Sequence, residues 1–251
     1  MAEKRKYPDP DVKILYGKAA GRCAFPQCRT VLTLPGTAAS KDAQIGQIAH
    51  IVAHSVSGPR GDNSYPKEKL DTYENWILLC PTCHKIIDTR PEEYPADMIR
   101  KIKQNHEQWV DETLEAEMAN ISFAELDVAA KALAKGALNY SFDFKIISPE
   151  EKISKNNLTN QSRNVIAMGL IRGPEVEKYL ASMALLDQDF PERLKNGFKQ
   201  KYLELRQDSS GDALFMEMLH FATPSKNDFG LHAAGVAILV HLFQICDIFE
   251  K

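Results

Sequence analysis

Two short-spaced cysteine pairs restrict this chain more than any other feature: Cys23 and Cys28 in CAFPQC, and Cys80 and Cys83 in CPTC. In a reducing compartment, thiols spaced this way read as the corners of one tetrahedral zinc site rather than as disulfides. Each pair forms a tight knuckle that brings two thiolates to about 2.3 Å from one ion, and Pro26 and Pro81 help the chain turn. Four thiolates leave no coordination position open, so a zinc ion held this way is structural. The other readings are four reduced thiols, or a redox motif at Cys80–Cys83, which would not need a matching first pair. The fifth cysteine, Cys246, sits in the apolar segment ILVHLFQICDIF and reads as a core residue.

Composition excludes several classes. With 44% hydrophobic and 26% charged residues, the chain is expected to be globular rather than disordered. No stretch reaches the 18 apolar residues of a membrane span, and MAEKRKYPDPDVK carries no apolar signal region, so a cytoplasmic location is expected. The formal net charge is −3, and each side of residue 118 has slightly more acidic than basic residues. Neither part can coat nucleic acid by charge alone. A nucleic-acid contact would need a local cluster, a metal ion or a partner.

Between the knuckles, Gln44–Ala53 (QIGQIAHIVA) is strand-like and contains His50. Asn75 opens a second short apolar run, WILLC, and His84 directly follows the second knuckle where a helix is expected to begin near Lys85–Asp88. The order is strand with His, loop, short strand with Asn, zinc knuckle, helix with His. His54 is four residues from His50, so on a strand both would point to one face. Arg60 stands in SGPRGD, where a guanidinium can bind phosphate in a bidentate way, pair with Asp62 or be a plain loop arginine; all three readings stay open. Tyr94–Asp111 places Met98, Ile102, His106 and Trp109 at helical spacing, as expected of a helix packing on the zinc module. Within it Arg100, Lys101 and Lys103 form either a backbone-contacting basic cluster or a solvated face.

The ordered set AHI…GPRGD…ENWILLCPTCHKIID, followed by KQNHEQW, closely resembles the HNH endonucleases, in particular HNH domains attached to prokaryotic antiviral effectors. The resemblance covers roughly residues 15–110 and implies a ββα-metal fold. It implies that His50 is the general base, that Asn75 orients the His50 ring through an amide contact, and that His84 is a ligand of a catalytic Mg²⁺ or another divalent ion such as Mn²⁺ or Ni²⁺. One departure is Ala49, which stands where many members carry a metal ligand before the base. Asp88, one helical turn after His84, can be the second ligand or a solvated acid.

Beyond residue 118 the pattern is mainly helical. Helices are expected over Ile121–Gly136, Pro174–Leu186, Pro191–Arg206 and Leu231–Phe249, with a strand or extended link at Ser141–Ser148, a loop at Asn156–Arg163 and a break at Asp208–Gly211. His220, His232 and His241 have no acid partners at ligand spacing and read as core or surface residues. The ending SSGDALFMEML…GLHAAGVAILVHLFQICDIFEK resembles C-terminal domains of ABC-three-component defence systems, which implies an assembly role beside an ATPase. The fold expectation is α+β: a small ββα-metal HNH domain with structural zinc at 1–118, then a mainly α-helical assembly or regulatory domain at 119–251. The functional expectation is a DNA endonuclease of anti-phage defence, controlled by homo-oligomerisation or by a partner such as an ABC-type ATPase. RNA as substrate stays open. The runner-up is a catalytically silent zinc-containing DNA-binding or adaptor protein. A homing or intein-like nuclease fits less well, because the second half lacks a basic reading surface.

Overall fold

The computed structural model describes residues 6–36, 39–134, 148–225 and 228–249. It divides into two compact units, 1–110 and 111–251.

The first unit opens with α1 (Asp9–Lys18), started by Pro10 and by Asp9 and Asp11 in its first turn. A short antiparallel pair, β1 (Thr33–Leu34) and β2 (Ala43–Gln44), precedes the central hairpin. That hairpin pairs β3 (Gln47–His50) with β4 (Trp76–Leu79) antiparallel, with Gln47 opposite Leu79 and His50 opposite Trp76. β4 is buried at every position, which explains its unbroken apolar run. α2 (Pro81–Thr89) follows at once, with Cys80 as its N-cap and Pro81 in its first turn. The strand–strand–helix order read from the sequence is present. The strand expected across Gln44–Ala53 is split by Gly46, where a Cβ would come within 2.8 Å of the Tyr16 hydroxyl. α3 (Ala96–Ala119) continues beyond the expected Tyr94–Asp111 helix. Ile102 and His106 are buried along it, but Met98 is exposed and takes no part in the packing. Trp109 instead stacks under the Arg29 guanidinium at 4.3 Å.

The second unit is helical throughout its described residues. α4 (Phe123–Leu133) begins at a capping box in which the Ser122 and Glu125 side chains satisfy each other's backbone N–H groups. α5 (Pro149–Lys155), α6 (Asn160–Leu170), α7 (Gly173–Leu186), α8 (Phe190–Leu205) and α9 (Gly211–Ala222) surround α10 (Phe229–Ile245), which is buried from Ala233 to Phe243. Its near-continuous apolar sequence follows from packing against α4, α6, α7 and α9. Close approach depends on missing side chains. A Cβ at Gly169 would meet Val240 at 2.6 Å, and one at Gly235 would meet the Ala222 carbonyl oxygen at 2.3 Å. The loop expected across Asn156–Arg163 ends at Thr159, because α6 is capped there and the Asp212 carboxylate accepts from the Thr159 backbone, the Thr159 hydroxyl and Ser162. The extended link expected at Ser141–Ser148 lies outside the described residues apart from Ser148, which caps α5. No helix among the described residues is long and apolar enough to cross a membrane.

Candidate functional site

The four paired cysteines converge. Their Sγ atoms all lie within 4.8 Å of one another, and among the described residues they are the one group of three or more His, Cys, Asp or Glu side chains close enough to share an ion. Cys28 Sγ and Cys80 Sγ are 3.9 Å apart, far beyond the roughly 2.05 Å of a disulfide. Zn–S bonds of about 2.3 Å in a tetrahedron place sulfurs about 3.8 Å apart. Backbone N–H groups point at the sulfurs: Cys80 N–H donates to Cys23 Sγ (3.3 Å) and Cys83 N–H to Cys80 Sγ (3.4 Å). The first knuckle is fastened to β4 by the Ala24 N–H donating to the Leu78 carbonyl at 2.9 Å. Burial pushes the Cys23 thiol up to about 11, and burial with neighbouring sulfurs raises Cys83 as well. Burial also raises Cys28, but hydrogen bonds from Thr30 and the neighbouring thiols bring it to about 7. Thiolates crowded in this way need a cation among them, and the set can hold a metal such as zinc.

Beside this frame stand two groups of polar side chains. In the first, His84 on α2 has Nδ1 2.8 Å from Gln47 Oε1 of β3, and Nε2 3.3 Å from Asp88 Oδ2 one turn later. With the Nδ1 proton donated to the glutamine oxygen, the Nε2 lone pair faces the carboxylate. Two acceptors turned toward each other suit a shared cation, and an anchored second nitrogen is the usual support of a metal-binding imidazole. When the ring is instead protonated and donates Nε2–H to Asp88, burial raises the Asp88 carboxyl, but hydrogen bonds and charge from His84 and Arg60 outweigh it and hold the group below the usual carboxylate range. His84 and Asp88 are thus two side chains that can share a hard divalent ion, with no third protein ligand at Ala49.

Arg60 serves this group in a way the sequence did not disclose. Its guanidinium is buried and fully engaged: Nε donates to the Ile51 carbonyl (3.0 Å), Nη1 to the Ile87 carbonyl (2.8 Å), and Nη2 to both the His50 carbonyl (3.2 Å) and Asp88 Oδ1 (2.7 Å). These bonds make Arg60 an internal clamp between the β3 exit and α2. Asp62, the other partner considered for it, is taken by Ser64. Arg60 itself sits at φ +61°, and the tight turn beside it needs Gly61, where a Cβ would meet the Val56 carbonyl oxygen at 2.0 Å.

The second group gathers on the His50 ring. Gln47 and His50 are three apart on β3, so their side chains leave opposite faces of the strand, and His50 meets a different set of partners from His84. Its Nε2 lies 2.9 Å from Asp71 Oδ1 and 3.2 Å from the Trp76 Nε1. His54 Nε2 lies 3.6 Å from Asp71 Oδ2, and the two imidazoles stand edge-on at 6.0 Å. β3 ends at His50, so their convergence comes from the bend after the strand and from a shared aspartate rather than from strand alternation. The Lys6 backbone N–H donates to Asp71 Oδ2 at 2.6 Å, and the Tyr7 ring lies over Trp76 and His50.

Asn75 is buried, but its amide does not reach for the imidazole. Asn75 Nδ2 donates to the Val52 (2.9 Å) and Leu70 (3.0 Å) carbonyls, and Oδ1 accepts from the Val52 N–H (2.9 Å). The expected ring contact is therefore corrected: Asn75 fixes the backbone just after His50 and only thereby the residue itself. Lys103 is also reassigned. It is buried, stacks on the Tyr73 ring at 3.4 Å and donates to the Tyr73 carbonyl, so it is no part of a basic surface; burial lowers it to about 8 despite Glu107. Arg100 pairs with Asp97 at 2.6 Å. Asp71, Gln47 and Trp76 escaped the sequence reading. Asp71 lies in the polar stretch KLDTYEN, where one more acid makes no pattern.

Residues 142–250 match the family model of C-terminal domain 10 of the ABC-three component (ABC-3C) systems. No curated protein matches the chain.

Proposed function

We propose that this protein is a metal-dependent HNH-type DNA endonuclease, tied through its C-terminal unit to the other components of an ABC-three-component antiviral system. One observation carries the nuclease reading. A β3–β4 hairpin runs into α2 while a single guanidinium nitrogen, Arg60 Nη2, bonds both the His50 carbonyl and the Asp88 carboxylate. The backbone of the residue read as base is thereby tied to a carboxylate read as a ligand.

The chemistry asked of these residues is hydrolysis of a phosphodiester, which repels hydroxide and has a poor leaving group. His50 takes the proton from the attacking water, a task suited to imidazole near neutral pH. His84 and Asp88 hold the divalent cation, with Gln47 keeping the His84 ring in place. When bound, that ion supplies charge stabilisation for the phosphate and the leaving oxygen. The cysteine frame carries structural zinc and fixes the start of α2, where Cys80 is both N-cap and thiolate. With no net basic charge in either part of the chain, DNA affinity comes from the assembly, and oligomerisation or an ATPase partner raises effective concentration on DNA.

A second reading is favoured by Ala49 and by the Arg60–Asp88 ion pair, which leaves Asp88 partly neutralised. In it the module is a silent zinc-containing adaptor. Incubating the purified full-length protein with supercoiled plasmid and Mg²⁺, Mn²⁺ or Ni²⁺ separates the two. Cleavage that disappears in His50→Ala supports the nuclease. No cleavage with any metal, even with the neighbouring components added, supports the adaptor.

A further inference from the structure

Asp71 is a positioning residue: we propose that its carboxylate accepts the Nε2 proton of His50, fixes the ring's tautomer, and so puts the ring's lone pair on Nδ1. The proposal rests on the nuclease reading of His50 and deepens it.

Its basis is a conflict at one atom. His50 Nε2 has a single in-plane position, and two partners compete for it. Asp71 Oδ1 at 2.9 Å requires a proton on Nε2, whereas the Trp76 N–H at 3.2 Å requires a lone pair there. Trp76 can only donate and is completely buried. The carboxylate decides the contest. Burial pushes Asp71 up, but the Lys6 N–H and the His50 ring, with charge from His54 and His50, hold it below the usual carboxylate range. An ionised Asp71 can only accept, so the proton stays on Nε2.

Asp71 has two acceptor oxygens and uses both, Oδ1 for His50 and Oδ2 for the Lys6 N–H at 2.6 Å and His54 at 3.6 Å. An asparagine offers only one. With its oxygen taken by the Lys6 N–H, its NH₂ would face His50 Nε2 as a second donor beside Trp76. Both would then demand a lone pair, and the proton would move to Nδ1. Among the described residues, the titratable and charged groups around the ring include Asp71, His54 and Tyr7, with Arg60 on the His50 carbonyl. Among them Asp71 is the one that accepts from Nε2.

The test uses full-length, zinc-loaded protein with ¹⁵N-labelled histidine, compared as wild type, Asp71→Asn, Asp71→Glu and His50→Ala. Long-range ¹H–¹⁵N correlation spectra report the His50 tautomer, and the His50→Ala spectrum assigns it among the seven histidines. Plasmid cleavage under saturating metal reports kcat and KM. The proposal expects Nε2–H in the wild type, a flip to Nδ1–H in Asp71→Asn, and a fall in kcat of about 10²–10⁴-fold with KM unchanged, the range supplied by one positioned base. Asp71→Glu should keep Nε2–H and recover part of the rate. An Asp71→Asn protein with the wild-type tautomer and kcat overturns the assignment of Asp71 alone. Cleavage that survives His50→Ala overturns the base reading itself and takes the positioning role with it.

Discussion

Cys28 Sγ and Cys80 Sγ stand 3.9 Å apart across a sequence separation of 52 residues. Nothing covalent joins them, and burial or neighbouring sulfurs oppose ionisation at Cys23 and Cys83. This geometry is stable once a cation offsets the thiolate charge, and each backbone N–H aimed at a sulfur favours the same state. The full-length protein should carry one tightly held zinc, measured by elemental analysis. Cys80→Ser should lose it and lose cooperative unfolding of the first unit, since structural zinc contributes about 10–16 kcal/mol in small modules. Acidification should release the metal, because each ligand must first be deprotonated to bind. A protein that folds identically after complete metal removal would sink this assignment.

His84→Ala and Asp88→Asn should each abolish metal-dependent cleavage while leaving zinc content intact. Asp88→Asn also takes the ion-pair partner from Arg60 and should lower the thermal midpoint, whereas Gln47→Ala should weaken the divalent-ion dependence by about 10–100-fold, the usual effect of losing a ligand's supporting bond. Isothermal titration with Mn²⁺ checks both. Unchanged Mn²⁺ affinity in His84→Ala would remove that ligand from the scheme.

The carboxyls of Asp71 and Asp88 both lie lower in the folded protein than the ordinary aspartate value of about 3.9. A depressed carboxyl stabilises the fold fully above its unfolded value and loses that contribution as pH falls through its lower folded value. Acid should therefore loosen the first unit below about pH 4, and Asp71→Asn or Asp88→Asn should flatten that limb. Urea unfolding followed by the fluorescence of Trp76 and Trp109 across the acid range reads the slope. A slope identical to wild type in both variants would contradict the burial and bonding described for these acids.

Asn75→Ala should behave unlike His50→Ala. Losing the amide strands the Val52 N–H and the Val52 and Leu70 carbonyls in a buried place, at about 1–3 kcal/mol for each unsatisfied group. His50→Ala takes one partner from Asp71, but the Lys6 N–H still serves that carboxylate. Melting curves should separate them: a large loss of midpoint for Asn75→Ala, a small one for His50→Ala. Equal stability would mean that the three buried amide bonds of Asn75 contribute nothing to the fold.

In the second unit, Lys152 is completely buried, and its ammonium donates to the Phe243 (2.6 Å) and Cys246 carbonyls at the end of α10. It thereby satisfies orphan carbonyls of a helix terminus from across the chain. Lys152→Met should lower stability by about 1–3 kcal/mol without altering zinc content, read by thermal unfolding and elemental analysis. An unchanged midpoint would show that the cap contributes nothing.

Much of the frame was legible because it is written in short-range signals. The cysteine spacing, Pro81, and the apolar run at Trp76–Leu79 fix knuckle, helix start and buried strand locally. Pro174 and Pro191 mark the starts of α7 and α8 for the same reason. What escaped is settled by pairings between distant residues. Arg60 looked like a loop arginine because its four partners come from two distant stretches of chain, residues 50–51 and 87–88. Asp71 and Gln47 have no pattern of their own and acquire a role only when the hairpin and α2 close around them. The start of α6 was misread because its cap depends on Asp212, over fifty positions away.

Cleavage of supercoiled plasmid by full-length protein, wild type against His50→Ala at equal zinc content, tests the central claim most directly. The nuclease reading predicts divalent-ion-dependent nicking by the wild type and at least a hundredfold slower nicking by the variant, about the least that one positioned base supplies. Equal rates from two equally folded proteins would contradict it.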